Sequence, residues 1–149
     1  LENGATTLWE HWEFSDNTFS HNHPMFGSVS EWFYKVPAGI NPAPDAVGFD
    51  KIIIRPQPVS DLKWVKASYD SVHGKVVSDW GREAGNFKLR VRVPVGAAAT
   101  VFLPAKDGTP VTEGGKPVER AAGVQLLRTE PGHAVLAVGP GDYEFGSEF

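Results

Sequence analysis

The sequence predicts a mainly β protein, an antiparallel β-sandwich preceded by a short helical segment. Three observations predict it. Residues 86–93, NFKLRVRV, alternate strictly between apolar Phe87, Leu89, Val91 and Val93 and basic Lys88, Arg90 and Arg92. That is the pattern of a strand with one face in a core and the other in water. From residue 44 onward, about eight short strand-like runs are separated by turn signals, the organisation of a sandwich or barrel. Ahead of them, SVSEWFYKV (residues 28–36) carries Val29, Trp32, Phe33 and Val36 at i, i+3, i+4 and i+7, one apolar stripe on a helix.

Taken in order, the chain divides near residue 43. The opening stretch NGATTLWEHWEF (residues 3–14) sets Glu10 between Trp9 and Trp12. Indoles beside a carboxylate suit a sugar, whose apolar ring faces stack while the acid handles protons or hydroxyls; the plainer alternative is core tryptophans and solvated glutamates. SDNTFSHNHP (residues 15–24) has the Ser, Asp, Asn and Pro content of a polar loop. In the helix that follows, Ser28 can cap the N–H of Glu31 while Glu31 reaches back, and Pro37 stops it. NPAPDAVGFD (residues 41–50) is a proline-rich connector, and KIIIRP (residues 51–56) reads as a short buried strand. LKWVKASY, VHGKVVSDW, ATVFLP, GVQLL, HAVLAV and DYEF supply further strands, with turns such as KDGTP and EPGH between them. This gives a first part, residues 1–43, and a sandwich, residues 44–149. The closing Gly-Ser-Glu-Phe (residues 146–149) is what two adjacent common restriction sites encode, and is read as a cloning scar.

Composition excludes several classes of function. A chain of 149 residues is long enough for a real core without staples. It has no cysteine, hence neither a disulfide framework nor a zinc–thiolate site. The net charge of −4 without a basic run argues against nucleic-acid and anionic-membrane partners, and no apolar stretch approaches the ~18 residues of a membrane span. There is no G-x-S-x-G elbow, P-loop or G-x-G-x-x-G. His21 and His23 stand two apart, a spacing used in metal sites, but lack a third ligand nearby; the alternative is a pair of loop histidines that donate hydrogen bonds. No metal or cofactor is therefore expected. VSDWGRE (residues 77–83) places Asp79, Trp80, Arg82 and Glu83 at an expected hairpin end, either a small sugar platform or an exposed turn with a packed tryptophan.

The blocks ENGATTLWEHW, HNHPMFGSVSEWFYKVPAGI and FDKIIIRPQP, in this order and opening a β-rich tail, resemble the C-terminal end of bacterial α-L-rhamnosidases of glycoside hydrolase family 78. The resemblance covers residues 2 to about 60 closely and the rest by pattern and length. It implies that the helix is a remnant of an (α/α)6 catalytic barrel and that the strands form the C-terminal sandwich. It also implies that the glutamate of the GATT-x-WE block, Glu10, is the general base of an inverting glycosidase, and that His23 contacts substrate, with Trp9 and Trp12 walling the sugar. The general acid lies upstream in that family, in an acidic segment with no counterpart here. The loop between Glu10 and His23 is shorter than the family's, and Pro37 interrupts the barrel helix early. The expectation is a fragment, inactive by itself, of an enzyme that removes terminal α-L-rhamnose from glycosides or polysaccharides. Its partners would be a rhamnose-containing carbohydrate, the missing barrel of the same protein, and a second copy through the helix face. The competing reading is a non-catalytic sandwich that packs or binds carbohydrate.

Overall fold

The computed structural model describes residues 4–12 and 20–149, and two compact units divide the chain after Phe33. In the first unit, Pro24–Gly27 forms a 3-10 turn that continues into helix α1, Ser28–Lys35. Proline at the first position of the turn is pre-organised for it and gives up only an N–H that would have no helical partner. The start is therefore earlier than the capping box predicts. Ser28 has helical backbone angles (φ −62°, ψ −23°) and its N–H bonds to the Met25 carbonyl, so it closes the 3-10 turn and does not occupy an N-cap position. The helix ends at Lys35, ahead of Pro37 as expected.

The second unit is the sandwich. One sheet combines β1 (Ile40–Pro42), β2 (Lys51–Ile54), β6 (Ala98–Pro104), β10 (His133–Val138) and β9 (Val124–Glu130), in that spatial order. The other combines β3 (Trp64–Ser71), β4 (Gly74–Glu83), β5 (Asn86–Val93), β11 (Gly141–Glu148), β7 (Thr112–Glu113) and β8 (Lys116–Pro117). Every pairing is antiparallel except β2 with β6. Between those two the chain crosses to the other sheet for β3, β4 and β5, so it returns in the same direction. Strand β1 joins the sheet through Ile40↔Ile54, drawing strand pairing back before residue 43.

One apolar core joins the inner faces. Ile52 and Ile54 of β2, Val101 and Leu103 of β6 and Leu136 of β10 meet Val76 and Trp80 of β4, the inner residues of β5, and Phe145 of β11. On β5 the predicted alternation holds: Phe87, Leu89, Val91 and Val93 are buried, while Lys88 and Arg90 are exposed and Arg92 is half-buried. Arg92 makes two hydrogen bonds to Asp142 on β11, 2.8 and 3.1 Å. They hold the Asp142 carboxyl below its usual range and push the Arg92 guanidinium up. Both groups face water, where such pairs add little stability.

One feature differs from expectation. VSDWGRE is not a hairpin end: it lies inside β4, and Trp80 is only 3% exposed, its Nε1 donating to the Pro37 carbonyl at 2.7 Å. A buried indole with its N–H occupied is no sugar platform. The turn falls one step later, at Ala84 and Gly85, both with positive φ (48° and 78°), the backbone of a two-residue type I′ hairpin. Strand β11 runs through residues 146–148. Ser147 is buried, and its hydroxyl donates to the Pro104 carbonyl at 2.6 Å.

Candidate functional site

The first unit builds the candidate site from two short segments lying side by side. The His23 N–H donates to the Leu8 carbonyl at 2.7 Å and the Glu10 N–H to the Ser20 carbonyl at 3.0 Å, while the Thr7 hydroxyl donates to the His21 carbonyl. Ser20 returns the contact, its N–H bonding Glu10 Oε2 at 3.1 Å, and its own hydroxyl accepts from the Asn22 N–H at 3.1 Å. Backbone pairing thus fixes where the side chains of residues 8–10 and 20–23 point. Where Gly27 passes, a Cβ would stand 3.8 Å from Leu8 Cδ1, so the turn after His23 lies close against the same segment.

The consequence is a carboxylate–imidazole pair. Glu10 Oε2 lies 4.0 Å from His23 Nδ1, with the two side chains 33% and 26% exposed respectively. The His23 ring is braced by Phe26, centroids 5.0 Å apart at 45°. One carboxylate oxygen of Glu10, Oε2, is thus held by the Ser20 N–H. A carboxylate fixed by an amide N–H and partly open to solvent can deprotonate a water molecule, and an adjacent imidazole can hold a hydroxyl.

Of the four residues expected here, the structure brings Glu10 and His23 together. Trp9 is half-buried, its ring 5.3 Å from His21. Trp12 is 99% exposed and walls nothing among the described residues. The two histidines diverge, His21 toward Trp9 and His23 toward Glu10 and Phe26. Ser20 and Phe26 went unread in the sequence; Ser20 acts through its backbone, which no residue pattern reports. Glu13 and the loop expected from residue 15 lie outside the described residues as far as residue 19.

Two family models match successive parts of the chain. Residues 1–36 match the family model of the bacterial alpha-L-rhamnosidase 6 hairpin glycosidase domain. Residues 39–117 match that of the bacterial alpha-L-rhamnosidase C-terminal domain. An alpha-L-rhamnosidase of Streptomyces avermitilis is 35% identical over 97% of this chain, and one of Formosa agariphila is 27% identical over all of this chain. Among solved structures, the alpha-L-rhamnosidase from Dictyoglumus thermophilum is similar over 99% of the chain, with 40% identity and a TM-score of 0.78. The Streptomyces avermitilis enzyme complexed with L-rhamnose is similar over 97%, with 32% identity and a TM-score of 0.77. This chain spans 14% and 17% of the two sequence relatives, and 17% and 14% of the two structures. Matched in order by the end of the glycosidase domain and by the C-terminal domain, the chain belongs to the bacterial α-L-rhamnosidase family.

Proposed function

We propose that this chain is a working part of an inverting glycoside hydrolase that removes terminal α-L-rhamnose, with Glu10 as its general base. The observation that carries the reading is the Glu10–His23 pair, with Glu10 Oε2 held by the Ser20 N–H and the carboxylate side chain partly exposed. Inversion requires two carboxyl groups about 6.5–9.5 Å apart, with room between them for the attacking water. Glu10 takes the proton of that water, His23 orients a sugar hydroxyl, and Trp9 bounds the same side. The acid that protonates the leaving oxygen belongs to the remainder of the enzyme, whose (α/α)6 barrel the helical stretch completes.

It follows that the chain by itself should not measurably hydrolyse an aryl α-L-rhamnoside. Each general acid or base contributes roughly 10²–10⁴-fold, and substrate positioning contributes further. A chromogenic assay on the purified chain beside a full-length rhamnosidase containing it tests this. Turnover by the chain at a rate comparable to the longer enzyme would show that Glu10 needs no partner from outside.

The helix face gives a second expected result. Val29, Trp32 and Phe33 are 44–56% exposed, and Trp32 meets Phe33 edge-on with centroids 5.3 Å apart. Contiguous apolar surface of this kind draws partners. In the full-length enzyme the barrel covers it; in the isolated chain a second copy does. Light scattering should show a concentration-dependent dimer that Trp32→Ser with Phe33→Ser returns to monomer. A strict monomer at all concentrations excludes the self-association.

A further inference from the structure

The outer face of the six-stranded sheet carries an arrangement that neither the core nor Glu10 uses. One row of cross-strand neighbours reads Trp64, Gly81, Lys88, Gly146 and Thr112. The next reads Lys66, Asp79, Arg90 and Glu144. These residues line a trough of 570 Å³, within the range of about 300–1,000 Å³ common to small-ligand sites. Trp64 is 64% exposed, and its ring has neither a ring contact nor a side-chain hydrogen bond among the described residues. Beside it Gly81 leaves the floor open, since the nearest atom to a Cβ there would be the Lys63 carbonyl oxygen, 3.9 Å away.

The chemistry of the face selects its occupant. Lys66, Lys88 and Arg90 stand against Asp79 and Glu144, with Arg90 Nη1 3.4 Å from Asp79 Oδ2. A face so nearly balanced lacks the cationic excess that binds nucleic acid. Charged side chains share the trough with the indole, whereas the centre of a protein interface is depleted of charge. What remains is an uncharged ligand with an apolar ring face and many groups that both donate and accept. Along the second row, donors and acceptors alternate at the strand spacing of about 4.8 Å, within reach of hydroxyls on a single ring and its neighbour.

We propose that this face is a carbohydrate-binding site, in which a neutral pyranose of a polysaccharide stacks on Trp64 over Gly81. Lys66, Asp79 and Lys88 bond its hydroxyls, and Arg90 and Glu144 bond those of the next ring along the polymer. The site is separate from Glu10 and does not depend on the base role assigned to that residue. In a longer enzyme it would keep a polymer attached while single rhamnose units are removed.

Native electrophoresis in gels containing a neutral rhamnan, a neutral β-glucan or polygalacturonate tests the proposal. The chain should be retarded in at least one neutral gel, and salt should not abolish the effect. Trp64→Ala should weaken retardation about tenfold, the equivalent of about 1.4 kcal/mol. Gly81→Thr should weaken it comparably by filling the floor, and it suits a strand position. Both variants should keep the unfolding midpoint, and Glu10→Gln should leave retardation untouched. Retardation only by polygalacturonate and lost in salt would mean charge attraction alone and would overturn the site. So would retardation in no gel, or retardation unchanged by either variant. If Trp64→Ala in a full-length enzyme lowers the unfolding temperature without altering retardation, the face packs on the rest of that protein and the proposal fails.

Discussion

Glu10→Gln in a full-length rhamnosidase containing this chain should lower kcat by about 10²–10⁴-fold, with KM nearly unchanged. The amide keeps the size of the carboxylate, and its oxygen still accepts the Ser20 N–H that now bonds Oε2, so the loop pairing survives. What it loses is the ability to take a proton from water. Glu10→Ala goes further and leaves space on the face of the sugar where water would be activated. Azide in that space needs no base, so it should restore turnover and give the inverted β-rhamnosyl azide. His23→Ala runs in parallel: with its ring 4.0 Å from Glu10, His23 should affect chiefly KM and leave stereochemistry alone. Full activity in Glu10→Gln, or a product of retained configuration, would remove Glu10 from the base role.

What the sequence made legible follows from how much of each element's physics is local. Strand β5 is decided by eight residues whose apolar side chains all face one way, so its alternation could be read without knowing its neighbours. Strands β7 and β8 have two residues each, too few for any period to show, and they exist because β11 offers an edge to pair with. The turn between β4 and β5 was misplaced for a similar reason. Asp79, Gly81 and Arg82 carry turn-like chemistry, yet Val76, Ser78 and Trp80 point into the core or toward the chain before β1, and that packing outweighs local preference.

At the candidate site, the family resemblance pointed to Glu10 and His23, but no spacing rule could show that backbone pairing across a loop brings them to 4.0 Å. The same logic explains Trp12. An indole two residues from a candidate general base looks like a sugar wall in sequence, whereas the chain direction at residue 12 leaves it in solvent. Trp64 is the converse case. Nothing local distinguishes it from Trp80, and only strand register separates the one facing out from the one facing in.

Trp80→Ala should therefore be the most damaging single change in the sandwich, costing about 3–5 kcal/mol of a total that is commonly about 5–15 kcal/mol. Two losses combine. The indole is buried and stacked on Phe87, centroids 5.5 Å apart at 25°, so its removal opens a cavity between the sheets. Its Nε1 is the donor to the Pro37 carbonyl at 2.7 Å, and a buried acceptor left without one costs about 1–3 kcal/mol. That carbonyl belongs to the turn after α1, where Ser78 makes the neighbouring bond, its hydroxyl donating to the Ala38 carbonyl at 2.6 Å. Two side chains from one strand thus fix two successive carbonyls of the segment that leads into β1. Trp80→Phe separates the contributions, since it keeps most of the stacking area and removes only the donor; it should cost about 1–3 kcal/mol. Urea unfolding reads both, as a lower midpoint with an unchanged slope. If Trp80→Phe proved as stable as the parent chain, the bond to Pro37 would be dispensable and packing alone would hold that segment. A Trp80→Phe, Ser78→Ala pair losing more than the sum of its single changes would show that the two bonds act as one clamp.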